Sequence, residues 1–267
     1  MSSYDKLWYY TTYPKYPKLI IDIHHHYISK EGFMKDLLYN MYIAKVDKVC
    51  LFTPSYRDFK KKPDHFRDIL KSEGDRILLF GSIFPGRDPE SAIDEYYSYG
   101  VSGLKFLNPT DRYDADNFLK YYEKAEEYSL PIVFHTGVMG GYLEMDVSSE
   151  NMRPSHLDRI ARLFPKLHLI CAHMGDPWYL EAYMTSQKHR NLWLDISGKA
   201  VLLKAIALKK YLWVRTRPEK LVFGLDEYPT EYLRLIHTWN SLLYEMGISQ
   251  EDREKIFGLN AKEILQL

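Results

Sequence analysis

The chain has 267 residues, with 36 acidic and 36 basic side chains and a formal net charge of zero. That balance excludes the electrostatic footprint of a protein that grips nucleic acid or an anionic membrane, and it favours a small-molecule substrate. The length suits one α/β barrel, which typically needs about 250 residues.

The leader, residues 1–17, is rich in aromatics and prolines ("MSSYDKLWYYTTYPKYP") but carries no continuous apolar signal core. Nor does any later run reach the roughly 18 apolar residues of a membrane span. A cytoplasmic protein is therefore expected, without nucleic-acid or membrane partners and with homo-oligomerisation left open. Cys50 and Cys171 both sit in apolar runs, "KVCLF" and "LHLICAH", as buried thiols of a reducing compartment do.

After the leader, eight short apolar runs alternate with longer stretches of helical period. They are "KLIIDIHHH" from Lys18, "KVDKVCLFTP" from Lys45, "RILLFGSIFP" from Arg76, "GVSGLKFLNP" from Gly100, "PIVFHTG" from Pro131, "LHLICAHMG" from Leu167, "LWLDISG" from Leu192 and "LVFGLDEYP" from Leu221. Their near-continuous apolar character predicts strands buried on both faces. Between them, "RDPESAIDEYYSYG" offers Asp88 as a cap and Gly100 as a stop, and "SHLDRIARLFP" offers Ser155 as a cap with Leu157, Ile160, Ala161 and Phe164 on one stripe. Eight alternations predict a parallel (β/α)8 TIM barrel as one domain over 1–267, with 1–17 as an N-terminal extension and "DREKIFGLNAKEILQL" as a C-terminal packing helix. A doubly wound open sheet is the competing topology.

Barrel active sites are assembled at the carboxyl ends of the strands. The chemistry-bearing residues fall there: His24 and His26 end the first run, Lys105 the fourth, His135 the fifth, His173 the sixth and Asp226 the eighth. A strand period of two puts His24 and His26 on one inward face with Asp22 beneath them, and turns His25 the other way. Two imidazoles so spaced can reach a single ion, His135 adds a third nitrogen and Asp226 a carboxylate, which suits a zinc ion that keeps one position open for water. One histidine at a strand end is ordinarily a hydrogen-bonded core residue; four with an aspartate at one mouth are hard to explain that way.

In this order the motifs resemble the amidohydrolase superfamily, in particular its amidohydrolase-related branch of TIM-barrel metal-dependent hydrolases. The resemblance rests on Asp22, His24 and His26 in "DIHHH", His135 in "PIVFHTG", His173 in "ICAHMGDPW", Asp226 in "LVFGLDEYP" and the closing "GLNAKEILQL". It implies one divalent ion, zinc first, held by His24, His26, His135 and Asp226. It also implies that His173 orients or deprotonates the bound water and that Asp226 shuttles its proton. A second ion would follow only if Lys105 were carboxylated; the plainer reading of Lys105 is an ammonium that binds a substrate carboxylate or pairs with a neighbouring acid. Glu227, between Asp226 and "YP", departs from the family pattern, and Asp195 and Ser197 in "DISG" read as support for the mouth.

Around this set, Asp22 is expected to brace a ligand or the barrel floor. Arg153, in the loop that also carries Gly140 and Gly141, could clamp a carboxylate or be a solvated arginine, and Trp178 could line the pocket or simply pack. Three functions compete: a metal-dependent hydrolase of a lactone, amide or ester; a non-oxidative decarboxylase of an aromatic or muconate-like acid; and a non-catalytic metal-binding barrel. The shared motifs do not separate the first two.

Overall fold

A computed structural model describes residues 14–139, 148–212 and 217–267. Gly140, Gly141 and most of the leader lie outside the described residues.

Eight parallel strands form one sheet in the order β1 to β8. They are β1 (Ile21–His26), β2 (Lys48–Ser55), β3 (Ile77–Ile83), β4 (Gly103–Phe106), β5 (Ile132–Phe134), β6 (Leu169–Cys171), β7 (Leu192–Asp195) and β8 (Leu221–Val222). The last strand returns to the first: Ile23 N–H donates to Phe223 O at 3.0 Å and Asp226 N–H to His24 O at 2.8 Å. The sheet therefore curls into a TIM barrel, as the alternation predicts, rather than remaining an open doubly wound sheet.

Helices fill the connections: α1 (Phe33–Ala44), α2 (Tyr56–Phe59), α3 (Pro63–Glu73), α4 (Ser91–Ser98), α5 (Leu119–Glu127), α6 (His156–Leu163), α7 (Tyr179–Lys188) and α8 (Val201–Leu212). The chain closes with α9 (Tyr232–Glu245), α10 (Gln250–Glu254), a π-turn over Lys255–Leu259 and α11 (Asn260–Ile264). Asp88 does not cap α4; its carboxylate accepts from Phe84 N–H at 2.8 Å. Ser155 does hold the cap position of α6, but its side chain makes no capping bond.

Because each strand is covered on both faces, the core has two layers. Val49, Leu51, Leu79, Leu104, Phe106, Ile132 and Leu169 face the helices. Ile21, Ile23, Cys50, Phe52, Phe80, Val133, Ile170, Trp193 and Val222 fill the barrel, and Ala261 and Ile264 of α11 join this inner cluster, as expected of a C-terminal packing helix. Both cysteines are buried free thiols. Among the described residues no helix is long and apolar enough to cross a membrane.

One irregularity in β1 matters for everything above it. Ile21 and Asp22 pair with Lys48 and Val49, whereas His25 and His26 pair with Leu51 and Phe52, so Ile23 and His24 together oppose one residue of β2. This is a β-bulge, and it shifts the alternation by one residue. Below it Ile21 and Ile23 face inward; above it His24 and His26 do.

Candidate metal centre and substrate cavity

The bulge corrects one sequence expectation. Asp22 does not lie beneath the histidines inside the barrel. It faces the helix layer, where its Oδ2 accepts from Tyr232 of α9 at 2.5 Å and meets His25 Nδ1 at 3.1 Å. Its Oδ1 accepts from the backbone N–H of His24 and of Leu225, each at 2.9 Å. Asp22 thus ties β1 to the segment after β8 and touches no imidazole of the inner set. His25 does face outward as expected, stacked on the Tyr232 ring with centroids 5.6 Å apart.

Inside, donors converge. His24 Nε2 and His26 Nε2 each lie 3.6 Å from Asp226 Oδ1. These three are grouped closely enough to hold an ion. Ligands at about 2.1 Å in a tetrahedral arrangement stand about 3.4 Å apart, so the spacing fits one divalent cation. His135 is outside this tight group but lines the same cavity, and its buried Nε2 has no hydrogen-bond partner among the described residues. A buried nitrogen left unpaired at a mouth of metal-type donors is itself an argument for a ligand.

The other oxygen of Asp226 points elsewhere. Oδ2 lies 3.8 Å from His173 Nδ1, so one carboxylate spans the donor pair and the candidate base. Both residues reach these positions through backbone that side chains rarely adopt: φ is 57° at His173, 53° at the adjoining Met174 and 50° at Asp226. Left-handed geometry costs a non-glycine residue about 1–2 kcal/mol and persists where surroundings impose it, commonly at functional sites. It also places these residues past the ladder, since β6 stops at Cys171 and β8 at Val222. Gly224 is required here because a Cβ would stand 2.7 Å from His24 Cβ and 3.0 Å from Ser197 Cβ.

Beneath the imidazoles, Asp195 at the end of β7 organises the set. Its Oδ2 accepts from His24 Nδ1 at 2.7 Å, and its Oδ1 accepts from Ser197 Oγ at 2.5 Å, His173 N–H at 2.8 Å and Ser197 N–H at 3.0 Å. Burial alone would raise this carboxyl, but the charge and hydrogen bond of His24, with His173 and Ser197, hold it well below the usual carboxylate range. An ionised Asp195 fixes the His24 proton on Nδ1 and leaves the Nε2 lone pair facing Asp226. Ser197 Oγ, its own proton given to Asp195, accepts from His173 Nδ1 at 2.9 Å. Burial first, then neighbouring positive charge, pushes His24, His135 and His173 well below the ordinary imidazole value.

Lys105 reaches the same centre from β4. Fully buried, its Nζ lies 3.1 Å from His24 Nε2 and 5.0 Å above the Phe52 ring. Burial lowers the ammonium to about 8 despite the pull of Asp195 and Asp226, while burial raises Asp226 to about 7 against the pull of Lys105.

A cavity of about 870 Å³ opens over these residues. His26, Lys105, His135, His173 and Asp226 line it together with Lys199, Lys204, Asn108 and an apolar side of Phe84, Leu107, Val138 and Met139. Arg153 and Trp178 do not line it. The Arg153 guanidinium is taken by Glu181 at 2.9 Å and Glu150 at 3.3 Å and lies 4.7 Å over the Trp178 ring, so the two form a packing unit beside the mouth. Glu227 pairs with Lys199 at 2.9 Å, which accounts for the extra acidic residue after Asp226. Lys199 and Lys204 are invisible to strand-end reasoning because neither lies on a strand, while Asn108, within the run "GVSGLKFLNP", stands two residues past the end of β4.

Solved structures of like fold come from several bacteria. A dihydroxybenzoic acid decarboxylase of Polaromonas, holding manganese and 2-nitroresorcinol, superposes with a TM-score of 0.67 at 17% identity, over 93% of this chain and 97% of that one. A 5-carboxyvanillate decarboxylase of Novosphingobium aromaticivorans, with manganese and a nitrobenzoic acid, gives 0.66 at 16% identity over 93% and 96%. A probable 2-pyrone-4,6-dicarboxylic acid hydrolase of Acinetobacter baumannii, with citric acid, gives 0.63 at 12% identity over 93% and 99%. At such identities the likeness establishes the fold alone. No curated relative matches the chain. Residues 21–267, from the first residue of β1 to the end of the chain, do match one family, described as amidohydrolase. A match that takes in every strand of the barrel and all six strand-end residues converging on its mouth places this protein in the amidohydrolase family.

Proposed function

We propose that this chain is a metal-dependent, non-oxidative decarboxylase of a small aromatic acid. The observation that carries the reading is the make-up of the cavity wall: metal-type donors and the Lys105 ammonium at the bottom, further lysines on one side and Phe84, Leu107, Val138 and Met139 on the other. Such a wall suits a planar apolar body with a carboxylate directed inward. The two decarboxylases of like fold support this reading over hydrolysis of a lactone, amide or ester, from which the motifs alone do not separate it.

His24, His26, His135 and Asp226 would hold the ion, with Asp195 orienting His24. A histidine and carboxylate set suits zinc, while the decarboxylases of like fold hold manganese, so either is proposed. A bound divalent cation supplies positive charge that draws in and fixes substrate oxygens. Lys105 adds a second positive group at the same depth. When the carbon–carbon bond to the carboxylate breaks, its electron pair stays on the ring carbon and carbon dioxide leaves; a proton must then reach that carbon. Asp226 Oδ2 and His173, which face each other away from the donor pair, are the groups placed to deliver it.

The test is to load the purified protein with manganese or zinc and supply hydroxybenzoates, 5-carboxyvanillate and 2-pyrone-4,6-dicarboxylate. Carbon dioxide release from an aromatic acid is the expected result. Ring opening of the pyrone with no carbon dioxide from any acid would return the chain to the hydrolase reading.

A further inference from the structure

Helix α8 carries a lysine on its buried face, in line with Val201, Ala205 and Leu208. Leu202, Leu203 and Ile206 are 64%, 57% and 57% exposed, whereas Lys204 between them is 2% exposed. Turning an ammonium inward while two leucines and an isoleucine face solvent runs against the energetics of burial, because a charge removed from water is costly unless something compensates it. Within the described residues nothing does: Lys204 Nζ makes no hydrogen bond and no ion pair with any of them. Asp195, Asp176, Asp226 and Glu227 surround it and favour its charged form, but none is in contact; burial outweighs them and lowers the ammonium below its ordinary value.

The side chain instead borders the cavity. It approaches over Gly198, whose φ is 89°: a Cβ there would stand 3.5 Å from Lys204 Nζ, 3.7 Å from His173 Nδ1 and 3.9 Å from Asp226 Oδ2. The missing Cβ thus leaves one small space shared by the ammonium and the two groups assigned to proton delivery. Lys199 is different in kind, since it is already neutralised by Glu227 at 2.9 Å. Lys105 serves the deep end of the cavity beside His24. Among the described residues, two ammonium groups without carboxylate contacts therefore face the cavity from different elements, one on β4 and one on α8.

We propose that Lys204 determines specificity by receiving a second anionic group of the substrate, so that the cavity prefers an acid carrying two anionic groups to one carrying a single carboxylate. This rests on the reading of the cavity as the active site. One carboxylate lies at the His24, His26 and Asp226 donors with Lys105, and the other meets the Lys204 ammonium, which has no hydrogen-bond or ion-pair partner among the described residues.

Equilibrium binding to the manganese-loaded protein, read by calorimetry, tests this without turnover. Benzoate is compared with the three benzenedicarboxylates, whose carboxylates differ only in spacing. The wild-type protein is expected to bind the best of the three at least about tenfold more tightly than benzoate, the scale of a hydrogen bond between charged groups. In Lys204→Met that ratio should fall to within about twofold, and in Lys204→Arg most of it should return; thermal melts and metal content show that both variants are folded and loaded. A wild-type protein with no diacid preference overturns the proposal whatever the variants do, and so does a preference that survives in Lys204→Met. The two readings fail separately: a diacid preference with no carbon dioxide release from any acid sinks the decarboxylase assignment alone, and carbon dioxide release without the preference sinks only the role of Lys204.

Discussion

The two faces of β1 carry similar residues and do opposite things. On the outer face Asp22, His25 and Tyr232 share hydrogen bonds of 2.5 to 3.2 Å in a buried pocket of the helix layer. On the inner face His24 and His26 each stand 3.6 Å from Asp226, and His26 and Asp226 open onto the cavity. A histidine and a carboxylate are common to both, so residue type does not tell them apart. What separates them is where the polar atoms point: the outer ones bond across to α9, and the inner nitrogens converge with Asp226 Oδ1 at the barrel mouth. The outer set ties β1 to α9 and leaves His25 Nε2 without a hydrogen-bond partner among the described residues, whereas the inner nitrogens turn towards Asp226 Oδ1, with Lys105 Nζ 3.1 Å from His24 Nε2.

The sharpest way to break the contrast is to remove one histidine from each face. His24→Ala and His26→Ala are expected to reduce bound metal from about one equivalent per chain to almost none, with turnover lost alongside. His25→Asn, whose amide can still reach Asp22, should keep the equivalent. Elemental analysis of the purified variants decides it, and a His24→Ala protein that retains its metal would remove the inner set from the metal site.

His173 tests the inner face more finely. It approaches the donors through Asp226 Oδ2 and is itself positioned by Ser197, so it is assigned to the proton rather than the ion. His173→Ala should keep the metal and lose turnover by about 10²–10⁴-fold, the usual contribution of a positioned acid or base. Full turnover with metal bound would leave Asp226 as the sole proton carrier.

Asp22 tests the outer face. Its carboxylate accepts two backbone N–H groups and the Tyr232 hydroxyl, all buried. Asp22→Ala strands three donors at about 1–3 kcal/mol each, so a loss of about 3 kcal/mol or more is expected in denaturant unfolding. Tyr232→Phe removes one donor from the set and should cost about 1 kcal/mol. Tyr232→Phe should leave metal content unaltered; if it released the metal, the two faces would be one coupled unit.

Why the sequence separates some of these features and hides others follows from local physics. The eight apolar runs announce the barrel because two-sided burial leaves a continuous signature, and the strand-end placement of His24, His26, His135, His173 and Asp226 follows from it. The position of Asp22 was misread because a bulge at Ile23–His24 leaves no trace in a polar and apolar pattern: "DIHHH" alternates equally well in either phase. The run through "LVFGLDEYP" overstates β8, which ends at Val222, because Asp226 adopts left-handed backbone that no residue type near it advertises. Lys204 is concealed for the opposite reason. Helical periodicity assigns a lysine to solvent, and only the cavity reveals that this one faces inward.

The smallest expected effect lies farthest from the mouth, where charges join outer helices. Asp158 of α6 accepts from Lys188 Nζ at 2.8 Å, His189 Nε2 at 2.8 Å and Arg162 Nε at 3.1 Å. Burial alone would raise this carboxyl, but the hydrogen bonds from Lys188, His189 and Arg162 outweigh it and hold it far below its usual value. A carboxyl lower in the folded than in the unfolded state stabilises fully above the unfolded value of about 3.9 and loses that contribution as pH falls below it. Asp158→Asn is therefore expected to cost about 1 kcal/mol near neutrality, a cost that shrinks on acidification as the wild-type carboxylate itself becomes protonated. Chemical denaturation of both proteins across that range measures it. A difference that stayed constant down to strongly acidic pH would mean that Asp158 acts through packing. A loss of bound metal in the variant would mean that the outer layer reaches the mouth through α6, and that the division between structural and chemical faces seen on β1 does not extend to the rest of the barrel.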